Sequence, residues 1–276
     1  MTGQNILITG ANTGIGLATA RVFASRGDRV FVACRDDAGA RALSERIQQE
    51  SGYRLEVFAL DLARFESVRG CAEQFARLAI PLHVLINNAG VAGKRARTAS
   101  GFELAFGVNH LGHFLLTQLL LPQLRAAGRA RVVTLASKAH YAAPGIDWNA
   151  VTKKTRTITG LAEYSASKLA NVLFSAELAR RLAGTGITTY SLHPGVVASD
   201  AWRHMPQPAR WFYTRGMLTP EQGALTSIYC ATAPELAAES GLYYDDQRQK
   251  VPSEPAQDRA LAAELWDRSV EWTRAS

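Results

Sequence analysis

Tyr164-Ser165-Ala166-Ser167-Lys168 sets a phenol and an amine four residues apart in a run that reads as helix. Four residues is about one turn, so the two side chains share a face. A phenol ionises near ~10, and a neighbouring ammonium favours the phenolate. Such a pair can exchange a proton with a substrate near neutral pH. An ordinary surface pair has the same spacing, so its companions matter. Ser137 follows the predicted strand Arg131–Ala136, where a hydroxyl can hydrogen-bond a carbonyl oxygen and steady a developing alkoxide. Asn109, in Val108-Asn109-His110, lies on a predicted helix and can hold a relay water.

A second set of residues suits a dinucleotide. Thr9-Gly10-Ala11-Asn12-Thr13-Gly14-Ile15-Gly16 joins the first predicted strand to the first helix. Backbone N–H groups can approach a pyrophosphate closely only where no Cβ intervenes, and the helix start points its positive end at the phosphate. The spacing is G-x-x-x-G-x-G, and a bland turn could share it; its place at the strand–helix junction favours binding. The second strand ends Ala33-Cys34-Arg35-Asp36. An acid there would accept from a free ribose 2′-OH; Cys34 holds that position, and the Arg35 guanidinium suits a 2′-phosphate. NADP(H) is therefore expected over NAD(H). Asp36 and Asp37 either reach toward the ribose or start the next helix as caps. Asp61 suits an adenine edge or caps a helix. Asn87-Asn88-Ala89-Gly90 ends the fourth strand, where small residues let the cofactor pass and the amides tie neighbouring strands together.

These residues need a frame that brings strand ends together. The chain alternates short runs rich in Val, Ile and Leu with helical runs. Strands are predicted over Asn5–Thr9, Arg29–Cys34, Arg54–Leu60, Leu82–Ile86, Arg131–Ala136, Thr188–Leu192 and Leu242–Tyr244. Helices are predicted over Gly16–Arg26, Ala38–Gln49, Phe65–Leu78, Gly101–Arg125 and Leu161–Leu182, with a terminal one over Pro255–Thr273. Strands apolar on both faces suit a parallel sheet covered on both sides. The expected fold is α/β: one doubly wound Rossmann-type domain over 1–276, about seven parallel strands with helices on both faces. The aromatic stretch 198–218 breaks the rhythm. It reads as a helical lid or as a surface for another subunit; following a strand's carboxyl end, it favours the lid.

Composition narrows the class. The 276 residues are 47% hydrophobic and 20% charged, ordinary for a globular chain. No window approaches about 18 consecutive apolar residues, so a spanning helix is not expected. Thirty-one basic against 24 acidic residues give +7, but the charge is dispersed, which argues against nucleic acid. Its densest clusters, Lys94 to Arg97 and Lys153 to Arg156, look like loops. Cys34, Cys71 and Cys230 fit neither a disulfide framework nor zinc spacing, and His110, His113, His140 and His193 form no metal-ligand pattern. No metal is expected. The first residues lack a basic stretch and cleavage site, and a cytoplasmic location is expected.

Jointly, T-G-A-N-T-G-I-G at 9–16, N-N-A-G at 87–90, Asn109, Ser137, Y-S-A-S-K at 164–168 and P-G at 194–195 resemble the short-chain dehydrogenases/reductases over nearly the whole chain. V-N-H-L-G-H-F-L-L-T at 108–117, S-K-L-A-N-V-L-F at 167–174, H-P-G-V-V at 193–197 and V-A-C-R-D at 32–36 look most like the retinol dehydrogenase branch, which mostly prefers NADP(H). The resemblance implies a seven-stranded sheet, a homodimer or homotetramer, and a role for each residue. Tyr164 would give or take the proton; Lys168 would bond the nicotinamide ribose and depress the phenol; Ser137 would orient the carbonyl. Asn109 would hold a water linking Lys168 to solvent. Gly10, Asn12, Thr13, Gly14, Ile15 and Gly16 would hold phosphates and ribose, and Arg35 the 2′-phosphate. Asp61 and Leu62 would meet the adenine, and Asn88, Ala89 and Gly90 the adenosine ribose. Pro194, Val197 and Ser199 would line the nicotinamide. Ala136 and Ser199 depart from common serine and threonine. The 27-residue link from Ser137 to Tyr164 carries Trp148 and is expected to shape the substrate mouth. The expected substrate is a hydrophobic aldehyde, ketone or alcohol. The alternative is a non-catalytic NADP-sensing protein on the same fold.

Overall fold

The computed structural model of the chain describes residues 3–197 and 217–274. Its strands are β1 (Asn5–Thr9), β2 (Arg29–Cys34), β3 (Leu55–Ala59), β4 (Val84–Asn87), β5 (Ala130–Leu135), β6 (Ile187–His193), β7 (Leu242–Asp245) and β8 (Arg248–Lys250). They form one sheet in the order β3-β2-β1-β4-β5-β6-β7-β8. The first seven are parallel, as expected, with Ile6 opposite Val30 and Val84. Alternate strand residues feed two cores. Leu7, Phe31, Leu85 and Val132 pack with α3 (Phe65–Ala76), α5 (Gly112–Ala126) and α6 (Leu161–Arg181). Ile6, Ile8, Val30, Val32, Val84 and Ile86 pack with α1 (Gly14–Ser25), α2 (Asp37–Ser51) and α7 (Pro220–Thr232).

The eighth strand is an addition to the expected seven. β8 pairs antiparallel with β7 through a two-residue turn, Asp246-Gln247, with φ of 51° and 57°. This hairpin geometry usually calls for glycine or asparagine. Here neither central residue is one of those, and Arg248-Gln249-Lys250 are all exposed, so no alternation betrays the strand.

The predicted helix over 101–125 divides into α4 (Leu104–Phe106), a π-turn Gly107–Leu111 and α5. Two glycines permit it by close approach: a Cβ on Gly107 would fall 2.5 Å from Thr98 Cγ2, and one on Gly112 2.6 Å from the Leu62 carbonyl. Such π-turns redirect a side chain locally, and this one carries Asn109. Among the described residues the run 104–126 is long and apolar enough to cross a membrane, yet it is mostly buried inside the fold. The terminal helix α8 (Arg259–Arg274) begins four residues later than predicted and packs on α6, with the Trp266 ring 5.0 Å from Phe114 and 6.1 Å from Phe174.

The chain leaves the β3 edge and re-enters beside β1 as β4. Ligands bind where strand order reverses, at the carboxyl ends. Thr9, Asn88 and Ser137 all sit at such ends.

Candidate active site

The turn after β1 fits a pyrophosphate. Gly10 and Gly14 have φ of 65° and 55°, which glycine alone adopts freely. A Cβ on Gly10 would fall 2.9 Å from Ala89 Cα; one on Gly16 would fall 2.5 Å from Asn88 Nδ2 and 2.7 Å from the Gly10 carbonyl oxygen. No side chain caps α1: its N-cap, Thr13, is exposed and makes no cap hydrogen bond. A helix start left uncapped beside glycines that admit no side chain suits an anionic group. Asn12 and Ile15 flank it, half-buried. The expected tie between strands is present. Asn88 Nδ2 donates to the Thr9 carbonyl at 2.7 Å and the Gly10 carbonyl at 3.3 Å, while Asn88 N and Ala89 N donate to Thr9 Oγ1.

Past β2, Asp36 accepts from Gly39 N at 3.0 Å and caps α2, while Asp37 pairs with Arg41. Both acids therefore serve the helix. Arg35 is exposed at the strand end, and Cys34, buried beside it, donates its thiol to the Asp36 carbonyl. Burial pushes that thiol up to about 11. Asp61 Oδ1 accepts from Ala63 N at 3.0 Å in the loop ahead of α3, whose N-cap is Arg64. The capping role considered for Asp61 is thus a local turn. Leu62 turns its side chain into the core.

Lys168 and Tyr164 face the end of β5 together. The Lys168 amine stands 5.6 Å from the Tyr164 ring centre and donates to the Leu135 carbonyl at 2.8 Å. It is only 4% exposed, and burial lowers it to about 8. The Ser137 hydroxyl is the polar side chain that acts on the phenol. Here one expectation is corrected. Burial raises the Tyr164 pKa, with the Ser137 hydroxyl pulling the other way; the lysine does not depress it below its ordinary value. The physical reason is desolvation, which penalises a phenolate more than one nearby amine compensates. A Cβ on Gly90 would lie 3.7 Å from Lys168 Nζ, so the β4 turn passes close to the amine.

Asn109 is used by the chain itself. Its Oδ1 accepts from Val91 N at 2.8 Å, and its Nδ2 donates to the Val91 carbonyl and to Ser167 Oγ. The Asn109 backbone carbonyl accepts from His113 Nδ1 at 3.0 Å, so it and Oδ1 each keep one lone pair for a relay water.

A family model described as short chain dehydrogenase matches residues 4–209. The chain belongs to the short-chain dehydrogenase family. It is 46% identical to human "Retinol dehydrogenase 12" over 273 residues, 98% of this chain and 86% of that protein. Among solved structures, an uncharacterised protein from Mycobacterium Paratuberculosis superposes with a TM-score of 0.79 and 34% identity, covering 99% of this chain and 94% of that one. A "Pseudomonas aeruginosa RhlG/NADP active-site complex" gives 0.72 and 26%, covering 93% and 97%.

Two histidines near the site, His113 and His140, make ring hydrogen bonds that no sequence pattern marks. His113 is buried and lowered to about 4, hence neutral. Its Nδ1–H donates to the Asn109 carbonyl, so Nε2 accepts from Thr9 Oγ1 at 2.8 Å. One ring therefore joins the phosphate turn, the β4 turn and the Asn109 backbone. His140 Nδ1–H donates to the Ser137 carbonyl at 2.6 Å, and its Nε2 accepts from Ser253 N at 3.1 Å. Beside it, Lys138 pairs with Asp245 at 2.9 Å. No local motif signals the Thr9 and Ser253 partners, which lie 104 and 113 residues away in the chain.

Val197 is buried at the end of β6, against α7 and Ile15: a Cβ on Gly223 would meet Val197 Cγ2 at 2.5 Å and Ile15 Cγ1 at 3.1 Å. Pro194 is half-buried just before it. Ser199, and the lid read into 198–218 save its last two residues, lie outside the described residues. Trp148 stands on the link expected to shape the mouth. It stacks near Trp272, under Arg268, on the terminal helix. A cavity of about 680 Å³ lies between the 142–151 link and the first turns of α6, lined by Phe106, Ala143, Ile146, Ala162 and Ala166. Tyr164 and Ser137 do not line it; positions 162 and 166 are on the opposite helix face from 164 and 168.

Proposed function

We propose that this short-chain dehydrogenase is an NADP(H)-dependent oxidoreductase that interconverts a hydrophobic aldehyde or ketone with its alcohol, the retinol dehydrogenase-like reading. The carrying observation is the buried Lys168 amine behind the Tyr164 ring, with the Ser137 hydroxyl close enough to act on the phenol. The uncapped α1 end and Gly10, Gly14 and Gly16 receive the pyrophosphate, and Arg35, with both neighbouring acids engaged on α2, receives a 2′-phosphate. The similar Pseudomonas structure is an NADP complex, which supports this choice. Asp61 and the Leu62 backbone face the adenine, Asn88, Ala89 and Gly90 the ribose, and Pro194, Val197 and Ser199 the nicotinamide.

The nicotinamide supplies or accepts the hydride at the carbonyl carbon. Ser137 Oγ donates to the carbonyl oxygen and holds it beside Tyr164. As negative charge develops on that oxygen, the Tyr164 hydroxyl delivers its proton to it. A phenol raised by burial stays protonated at neutral pH, which suits it as the acid of reduction. In the oxidative direction the same oxygen must first lose its proton, so oxidation requires higher pH. Lys168 Nζ, anchored on the Leu135 carbonyl, supplies the positive field that steadies the phenolate left after transfer.

Tyr164→Phe tests the reading. Turnover of NADPH with a hydrophobic aldehyde should fall by ~10²-fold or more, while NADPH affinity, read by fluorescence titration, stays nearly unchanged. Surviving activity would show that the proton comes from elsewhere. Self-association as a homodimer or homotetramer is part of the same proposal and is checked by sedimentation.

A further inference from the structure

Two cationic runs that the chemistry leaves unused meet on one surface. Lys94, Arg95 and Arg97 follow the β4 turn, and Lys153, Lys154 and Arg156 lie in the link ahead of α6. The buried Thr155 joins them: its N donates to the Ala96 carbonyl at 3.1 Å, its Oγ1 to the same oxygen at 3.0 Å, and Ala96 N donates back to that hydroxyl at 3.3 Å. The Gly160 backbone also passes the first run, since a Cβ there would lie 3.5 Å from Lys94 N. All six cations are exposed. Among the described residues none of them forms an ion pair. The nearby acids are turned to the chain. Glu103 is buried and accepts from Phe106 N and Thr155 Oγ1; Glu163 accepts from Arg156 N, Thr157 N and Thr157 Oγ1.

Between the cations stand Ile158, 86% exposed, and Leu161, 58% exposed; Ile158 is the most exposed large apolar side chain among the described residues. A single exposed apolar residue needs no explanation. Two of them beside exposed cations that form no ion pair among the described residues, Arg97 alone leaning on the Gly101 carbonyl, match a bilayer interface, where apolar side chains enter the acyl boundary and cations meet anionic headgroups. We propose that this face docks peripherally on an anionic lipid surface, with Ile158 and Leu161 inserted and the six cations against the headgroups. The patch borders the candidate active site: Leu161 opens α6 just ahead of Tyr164, and Lys94 follows Gly90 by four residues. Docking would bring the site to where apolar carbonyls and alcohols partition, though it stands without that reading.

The test is sedimentation of the full chain with vesicles of phosphatidylcholine alone or with about 30% phosphatidylglycerol, at about 0.05 M and about 0.5 M salt. Partitioning should favour the anionic vesicles at least ~10-fold and collapse at high salt. Lys94→Glu/Lys153→Glu/Lys154→Glu should lower it by ~100-fold or more, and Ile158→Asp should lower it several-fold, whereas Arg46→Glu/Arg268→Glu, on other surfaces, should not. Equal partitioning to both vesicles, or full binding by either the triple or the Ile158 variant, overturns the proposal. Retention on immobilised heparin without vesicle binding also overturns it, in favour of a soluble polyanionic partner. NADPH turnover on a water-soluble aldehyde is measured in parallel and stays unchanged in these variants, so a failure of docking is distinguishable from a failure of the oxidoreductase reading.

Discussion

Replacing Lys168 with methionine should stabilise the folded chain while removing its activity. The amine is buried and lowered from 10.5 to about 8, by desolvation. Keeping it protonated there at pH 7 costs about 3 kcal/mol relative to water. Below pH 8 the folded and unfolded chains both carry the proton, so the whole penalty is present. Between pH 8 and 10.5 the unfolded chain binds more protons, and native stability rises with pH until the penalty has gone. Lys168→Met keeps a long flexible apolar stem and removes the charge. It also removes a hydrogen bond to the Leu135 carbonyl, worth ~1 kcal/mol. That carbonyl still accepts from Asn171 Nδ2 at 3.0 Å, so no buried acceptor is orphaned. The net gain is about 2 kcal/mol at pH 7, and for a chain of this size Tm should rise by about 4–8 °C. Melting followed by circular dichroism at pH 7 and pH 10, with guanidinium unfolding alongside, measures it. The margin over the unaltered chain should shrink as the pH approaches 10. A variant that melts lower at pH 7, or keeps a constant margin across that range, refutes the assignment of the penalty to this amine.

Arg35→Ala should weaken NADPH binding ~10-fold or more, as expected when a charge-assisted contact is lost, and leave NADH binding nearly unchanged; equal losses in paired titrations would remove the 2′-phosphate argument. Gly16→Ala places a Cβ 2.5 Å from Asn88 Nδ2 and 2.7 Å from the Gly10 carbonyl, so it should abolish cofactor binding and lower stability by about 1–3 kcal/mol, read by calorimetric titration and urea unfolding. His140→Phe removes the donor to the Ser137 carbonyl and strands Ser253 N, so it should cost about 1–3 kcal/mol of stability and lower kcat more than it alters NADPH affinity. A kcat equal to that of the unaltered chain would limit His140 to packing.

The sequence by itself determined the alternation of strands and helices, the phosphate turn and the Tyr164–Lys168 pair, because each rests on short-range regularity. A short run of Val, Ile and Leu, apolar on both faces, marks a strand, 3.6-residue periodicity puts 164 and 168 on one face, and glycine spacing marks where a Cβ cannot stand. β8 escaped for the same reason: three exposed polar residues have no period, and its turn lacks the usual glycine. The tertiary structure decided what depends on distant segments or on burial. Strand order brought Thr9, Asn88, Ser137 and Lys168 to one crevice. His113 and His140 acquired their roles only when Thr9 and Ser253, each over a hundred residues away, met their second ring nitrogens. Desolvation, which no local pattern encodes, raised the Tyr164 phenol and lowered the Lys168 amine. The two cationic runs became one surface only because Thr155 folds back onto Ala96, some sixty residues upstream in the chain.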